Sequence, residues 1–115
     1  MDEAKETMTE KTRTEKDSLG SLEVPAAAYY GIFTERAKKN FQISGISAEL
    51  SFIKALALIK KAAAAANTEL GLLDERTGKA IIAAADEVAE GKWDSQFPLD
   101  VFQAGAGTPF NMNCN

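Results

Sequence analysis

Two consecutive stretches with helical periodicity constrain the fold of this chain more than any other feature of its sequence. In the first stretch, apolar residues recur at helical spacing and lead into an unbroken alanine run at residues 62–66. Such small side chains allow a neighbouring helix to approach closely. Gly71 follows the first stretch and Gly91 follows the second, and glycine is the residue favoured just beyond a helix C-terminus. The pattern predicts a mainly α-helical domain.

Three helices are predicted, and each has an apolar face. The first begins at Pro25 and ends before Gly45, the second begins with Ser47 as N-cap, and the third begins with Asp74 as N-cap. The first carries an aromatic stripe made of Tyr29, Tyr30, Phe33, Ala37 and Phe41. Its helical spacing favours core packing over an aromatic binding surface. The second face contains Phe52, Leu56, Ile59, Ala63 and Ala66, widened by Leu50, Ile53 and Ala57. The third contains Gly78, Ile81, Ile82, Ala85, Val88 and Ala89.

A short β-ribbon is predicted ahead of the helices. Residues 18–21 form a turn signal between two short segments, 13–17 and 22–24. Residues 1–12 are charged and lack periodicity, which predicts a flexible arm before a single domain at 13–115. The expected fold is therefore a small helical domain with an N-terminal ribbon.

Composition excludes several classes of function. The net charge is −4, and no run of basic residues offers a phosphate-tracking patch, so nucleic acid is not an expected partner. No apolar run approaches a membrane span, and no secretory signal is present. The chain contains no histidine and a single cysteine, Cys114, which suits a reducing cytoplasm. Asp86, Glu87 and Glu90 are interpreted as a solvated helix surface, so neither a metal nor a cofactor is expected.

The last segment differs from the helical part by concentrating glycine, hydroxyl and amide groups. Gly105, Ala106, Gly107 and Thr108 form a turn whose backbone N–H groups can approach an anion, although such a turn alone is often only structural. Asn111 is predicted to cap a new helix, whose free N–H groups would also favour negative charge.

Several motifs, in order, extend this picture. They are Arg13-Thr14-Glu15-Lys16-Asp17-Ser18-Leu19-Gly20, Glu23-Val24-Pro25-Ala26, Tyr29-Tyr30-Gly31, Thr34-Glu35-Arg36-Ala37, Asn40-Phe41-Gln42-Ile43-Ser44-Gly45, Phe97-Pro98-Leu99-Asp100-Val101-Phe102-Gln103 and Asn111-Met112-Asn113. Together they resemble the N-terminal part of the fumarase/aspartase superfamily, and the last two resemble the first of its three signature regions. The resemblance spans residues 13–115.

The resemblance implies a chemistry and a site. Superfamily enzymes remove a proton next to a substrate carboxylate and expel ammonia or water from the neighbouring carbon. Thr108 is then expected to contact the carboxylate of a small dicarboxylate substrate, with Gly107, Ala106 and Asn111 in the same site. The general base and a substrate-holding lysine would lie far downstream. The resemblance also implies a homotetramer built around a central helical bundle, and an isolated domain without activity.

Within the superfamily, the loop is most similar to the aspartate ammonia-lyase branch, because fumarases usually carry serine in place of Ala106. Pro109 and Phe110 depart from the small or hydroxylated residues usual at these positions. Class II fumarase is the alternative enzyme. A non-catalytic helical interaction module is the alternative from another class.

Overall fold

The fold is a β-hairpin followed by four α-helices in a computed structural model that describes residues 11–115. The strands are β1 (Thr12–Asp17) and β2 (Gly20–Pro25). The helices are α1 (Ile32–Asn40), α2 (Leu50–Glu69), α3 (Glu75–Ala89) and α4 (Thr108–Cys114), with a short 3-10 turn at Asp94–Gln96. This confirms the predicted fold, mainly α with an N-terminal ribbon. The predicted arm at 1–12 falls almost wholly outside the described residues, and Thr12 already belongs to β1.

The hairpin is antiparallel and pairs Thr12 with Pro25 and Asp17 with Gly20. Asp17 accepts a hydrogen bond from the Leu19 N–H at 2.9 Å, and Gly20 has a positive φ of 114° that suits glycine at the turn. Val24 is completely buried where β2 packs against α1. The hairpin is therefore supported by a helix, as a two-stranded ribbon requires.

The predicted helix start at Pro25 is wrong, because the chain turns several times before α1 begins at Ile32. In this segment the guanidinium of Arg13 donates hydrogen bonds to four backbone oxygens, those of Pro25, Ala26, Ala28 and Tyr30, at 2.8–3.1 Å. These carbonyls bond to a side chain from β1 instead of to helical N–H groups.

Arg13 also positions Glu15, which marks the actual start of α1. The Arg13 Nε donates to Glu15 Oε2 at 2.7 Å, and Glu15 Oε1 accepts from the Ile32 N–H at 2.9 Å. A carboxylate on a first-turn N–H satisfies a donor that the helix leaves free. The Arg13 hydrogen bond is the main reason that the pKa of Glu15 is lowered, and the Ile32 N–H adds to it.

The aromatic stripe does not form a core face. Tyr29 lies before α1 and is 74% exposed, and Phe33 within α1 is 44% exposed. The buried residues of α1 are Thr34, Glu35 and Ala37. Arg36 instead joins α1 to the hairpin through two hydrogen bonds to the Asp17 carboxylate, at 2.8 and 3.1 Å.

Helices α2 and α3 form a helical hairpin that packs through small residues. Asp74 caps α3 as predicted, accepting from the Thr77 N–H at 3.0 Å. Gly71 and Gly91 both have positive φ just beyond a helix end, which confirms the predicted stops. The predicted N-cap at Ser47 is wrong, because Ser47 forms an isolated β-bridge with Asp100 and α2 starts at Leu50.

The buried face of α2 confirms the predicted Ile53 and Ala57 but differs from the prediction elsewhere. Ile53, Ala57 and Ala64 are buried against the rest of the molecule. The predicted face residues Phe52, Ile59, Ala63 and Ala66 are exposed, with Ile59 at 61%. Since α2 is apolar on more than one side, helical periodicity did not distinguish the two faces. No helix of the described part is long and apolar enough to cross a membrane.

Gly78 of α3 packs directly against Thr68 of α2. A Cβ at this position would lie 2.0 Å from Thr68 Oγ1 and 3.2 Å from Thr68 Cβ. The Thr68 hydroxyl is itself held by a 2.7 Å hydrogen bond to the Ala64 carbonyl. Glycine is therefore required here by packing, although its φ is ordinary.

Replacing Gly78 by alanine is expected to destabilise the fold by about 1–3 kcal/mol through overpacking. This outweighs the roughly 1 kcal/mol that alanine gains over glycine in a helix. Urea unfolding would measure the change. The double variant Gly78→Ala/Thr68→Ala should recover much of the lost stability, and a more stable single variant would contradict the contact.

Candidate functional site

The glycine-rich segment forms a tight turn directly before α4. The Gly107 N–H donates to the Ala104 carbonyl at 3.0 Å, which closes a four-residue turn. Gly107 has a φ of 76°, a left-handed conformation that glycine adopts without strain. Thr108 is the first residue of α4, and Pro109 lies in its first turn, where its fixed φ suits a helix start.

The prediction that Asn111 caps the helix is wrong. Asn111 lies inside α4, and its N–H donates to the Gly107 carbonyl at 3.2 Å. The left-handed Gly107 and the proline after it start the helix before Asn111 is reached. The Asn111 side chain accepts a 2.7 Å hydrogen bond from Lys60 Nζ of α2. Asn111 therefore connects α4 to α2. It lies one helical turn after the glycine-rich turn and is not part of it.

Several hydrogen-bond donors of the turn from Gly105 to Thr108 are unpaired. Among the described residues, the N–H groups of Gly105, Ala106 and Thr108 and the Thr108 hydroxyl have no partner. Ala106 and Thr108 are exposed, and nothing lies within 4 Å of the position that a Cβ on Gly105 would occupy. Three backbone donors and one hydroxyl on a compact, open turn suit a carboxylate, which accepts several hydrogen bonds.

The helix N-terminus itself contributes less than the sequence predicted. Pro109 has no N–H, and the Phe110 N–H already donates to the Gln103 side chain at 3.2 Å. Only the Thr108 N–H of the first three helical residues is free. The candidate anion site is therefore the turn rather than the helix end.

Asp100 anchors the segment that leads to this turn, a role that the sequence did not indicate. Its carboxylate accepts from the Ser44 N–H, the Ser44 hydroxyl, the Gly45 N–H and the Phe102 N–H, all at 2.7–2.8 Å. The side chain is buried. The Phe102 N–H is the largest cause of a pKa well below the usual aspartate range, and the Ser44 and Gly45 donors lower it further against the opposing effect of burial.

Replacing Asp100 by asparagine should therefore destabilise the fold at neutral pH, with a loss in Tm on the order of 10 °C. An amide presents N–H groups toward the donors that now face a carboxylate. Because its folded pKa is depressed, ionised Asp100 contributes stability above its unfolded pKa of about 3.9, and that contribution is lost as the pH falls further. Stability measured against pH should fall less steeply in acid for the variant. Glu90→Gln on the exposed end of α3 is the control, and equal acid profiles for wild type and Asp100→Asn would contradict the account.

Two cavities lie elsewhere in the described part. One, of about 670 Å³, lies beside Tyr29, Trp93 and Met112. The other, of about 530 Å³, lies beside Glu35 and Pro98. Neither is lined by Ala106, Gly107, Thr108 or Asn111, and of these Ala106, Thr108 and Asn111 are exposed.

Two acidic residues of α3 make contacts outside their own helix. Asp86 pairs with Lys61 of α2 at 2.6 Å, and Glu87 accepts from Trp93 Nε1 at 3.2 Å. Both are half-buried, and Glu90 at the end of the helix is exposed, so the interpretation as a solvated surface is confirmed for Glu90 and holds only in part for Asp86 and Glu87. Within residues 11–115, no group of three or more acidic or cysteine side chains is placed to hold a metal.

The described part is a small, mainly helical domain with an N-terminal β-ribbon and a glycine-rich turn before its last helix. A family model described as "Lyase" matches residues 20–115. The chain therefore belongs to this lyase family, the fumarase/aspartase superfamily.

Curated relatives and a solved structure agree with this assignment. The chain is 57% identical to a fumarate hydratase class II of Halobacterium salinarum and 53% identical to an aspartate ammonia-lyase of a Bacillus species, covering 94% of this chain and 23% of each relative. A crystal structure of fumarate lyase:delta crystallin from Brucella melitensis superposes with a TM-score of 0.85 at 47% identity, over 90% of this chain and 25% of that one. The chain spans about a quarter of the length of the curated relatives it matches.

Proposed function

We propose that this chain is the N-terminal domain of an ammonia-lyase that reversibly converts L-aspartate to fumarate and ammonia. The observation that carries the proposal is the set of unpaired donors on the turn from Gly105 to Thr108. They lie on the segment that resembles the first signature region of the superfamily. Under this proposal, the complete enzyme is the natural polypeptide that contains this chain.

The turn suits the electrostatic demand of this elimination. Removing a proton next to a carboxylate places extra negative charge on that carboxylate in the intermediate. Fixed donors aimed at the developing charge lower the barrier more than they strengthen substrate binding. The Thr108 hydroxyl and the free N–H groups of Gly105, Ala106 and Thr108 are such donors. Asn111 is assigned to the periphery of the site, since its side chain is already bonded to Lys60.

Other parts of the catalytic machinery are assigned outside this chain. The resemblance implies a general base on a mobile loop of the third signature region and a nearby lysine that holds the dianionic substrate. It also implies active sites shared among the subunits of a homotetramer in the cytoplasm. The exposed position of the turn, outside the two cavities described above, is consistent with a site completed by other segments.

Class II fumarase is the second candidate, and the 57% identity to a protein of that name supports it. Ala106 favours the aspartase branch, because serine is the usual fumarase residue at this position. The two activities share the carboxylate-binding turn and differ in the leaving group. The role proposed for Thr108 is therefore the same under both.

The test is fumarate formation by the complete enzyme with L-aspartate and with L-malate in parallel. Turnover of L-aspartate with release of ammonia is the expected result. Turnover of L-malate alone would replace the proposal by fumarase. Absence of both activities would favour a non-catalytic interaction module. The 115-residue chain serves as a negative control, because it lacks the assigned base.

A further inference from the structure

The side chain of Gln103 bridges the two ends of the donor-rich turn. Its Nε2 donates to the Asp100 carbonyl at 2.9 Å, and its Oε1 accepts from the Phe110 N–H at 3.2 Å. The first partner precedes the turn, and the second lies in the first turn of α4. One amide therefore uses both its donor and its acceptor to connect the segments on either side.

The turn has little else to hold it. Its own backbone contributes the Gly107 N–H bond to Ala104 and the Asn111 N–H bond to Gly107. A Cβ placed on Gly105 or Gly107 would meet nothing within 4 Å, so side-chain packing does not support these residues. Their position is set mainly by the bridge and by the helix that follows.

One end of the Gln103 bridge is bonded to a backbone segment that other hydrogen bonds hold in place. The Asp100 carboxylate is fixed by donors from Ser44 and Gly45, in the connection between α1 and α2, and the Val101 N–H donates to the Ile46 carbonyl at 2.9 Å. The Asp100 carbonyl that receives Gln103 therefore belongs to a fixed part of the backbone. Geometry at the turn is thereby coupled to the packing of the domain.

Gln103 also determines which donors remain available. It occupies the Phe110 N–H, and Pro109 has none, so the free N–H groups are those of Gly105, Ala106 and Thr108. A ligand carboxylate is directed to the turn and away from the side of α4. With Gln103 removed, the Phe110 N–H becomes a competing donor and the turn loses its bridge.

We propose that Gln103 is a positioning residue, which holds the turn so that the free N–H groups of Gly105, Ala106 and Thr108 converge on a substrate carboxylate. Gln103 itself does not touch the substrate. The inference rests on the proposed carboxylate-binding function of the turn, although the bridge can be tested separately from that function.

The bridge is tested by amide hydrogen exchange of Phe110 in the complete enzyme. Gln103→Met keeps an unbranched chain of similar length and removes both hydrogen bonds, so the Phe110 amide should exchange at least about tenfold faster. Gln103→Glu retains an acceptor for Phe110 and should keep much of its protection. Gln42→Met is the matched control, because Gln42 is an exposed glutamine whose side chain, among the described residues, donates only to the Lys39 carbonyl. Unchanged exchange in Gln103→Met would overturn the bridge.

Steady-state kinetics test whether Gln103 positions the turn for the substrate. With L-aspartate or L-malate, whichever the enzyme turns over, Gln103→Met should lower kcat/KM about tenfold or more, largely through kcat because the displaced donors no longer match the developing charge, and Gln103→Glu should recover part of that loss. A purely structural role would lower the Tm and leave both constants unchanged below it, which would overturn the positioning role. Faster Phe110 exchange with unchanged kinetics would show that the bridge exists but that the turn does not bind the carboxylate.

Discussion

Arg13→Ala is expected to lower the free energy of unfolding by about 2–3 kcal/mol. The guanidinium donates to four backbone oxygens between Pro25 and Tyr30 and to Glu15. Its loss leaves carbonyls of an irregular segment without their partner. About a third of the Arg13 side chain is exposed, so water replaces part of what is lost.

Arg13→Lys distinguishes shape from charge. An ammonium cannot reach four carbonyls arranged around a planar guanidinium, so lysine should recover less than half of the stability. Lys16→Ala, an exposed cation on the same strand, is the control and should change stability by less than about 0.5 kcal/mol. Urea unfolding followed by circular dichroism gives all three values. Equal stability of Arg13→Ala and Lys16→Ala would show that Arg13 does not organise the segment.

Thr108→Val in the complete enzyme is expected to lower kcat/KM roughly 10- to 150-fold. This corresponds to a loss of about 1.5–3 kcal/mol in transition-state stabilisation, the cost of losing a hydrogen bond to a charged group. Valine keeps the shape and removes the hydroxyl. Because that hydroxyl has no partner within the described residues and is exposed, the Tm should stay nearly unchanged. A kinetic loss without a stability loss separates a substrate contact from a structural one.

The matched control is Ser95→Ala, which removes from the 3-10 turn an exposed hydroxyl that has no hydrogen-bond partner within residues 11–115. It should change neither kcat/KM nor the Tm. If Thr108→Val also leaves kcat/KM unchanged, the hydroxyl is not a substrate ligand, and the turn would act through its backbone alone or not at all.

Local signals predicted the local features of this fold. Asp74 caps α3, Gly71 and Gly91 end the two long helices, and residues 18–19 form the hairpin turn, because each depends on backbone preferences within a few residues. The start of α1 was missed for the opposite reason. It depends on Arg13, which lies far from Ile32 in sequence. The Arg13 side chain donates hydrogen bonds to the Ala28 and Tyr30 carbonyls, which would otherwise be available to helical N–H groups.

The packing of α2 shows a second limit. A helix with apolar residues on several sides gives no unique answer to which side is buried, and contact with α3 selected the small residues Ala57 and Ala64 over Phe52 and Ile59. Gly78 matches this choice, because it leaves space for Thr68. Such complementarity between two helices is a property of the pair, and neither sequence segment contains it alone.

The resemblance indicated the residues of the candidate site, but it did not indicate the residues that hold the turn in place. Gly105, Gly107 and Thr108 lie in one turn, as the motif predicted, whereas Asn111 lies within α4 and bonds to Lys60. The hydrogen bonds of Asp100 and Gln103 join residues across loops, and single-sequence patterns carry little information on such contacts. An aspartate and a glutamine flanking a glycine-rich turn were the available signal.

The central claim is that the turn from Gly105 to Thr108 binds the substrate carboxylate, and a crystal structure of the complete enzyme with a non-reactive dicarboxylate tests it most directly. The account predicts one carboxylate group within about 3 Å of the Thr108 hydroxyl and of at least one free N–H of the turn. A dicarboxylate bound in the active site with this turn unoccupied would contradict it.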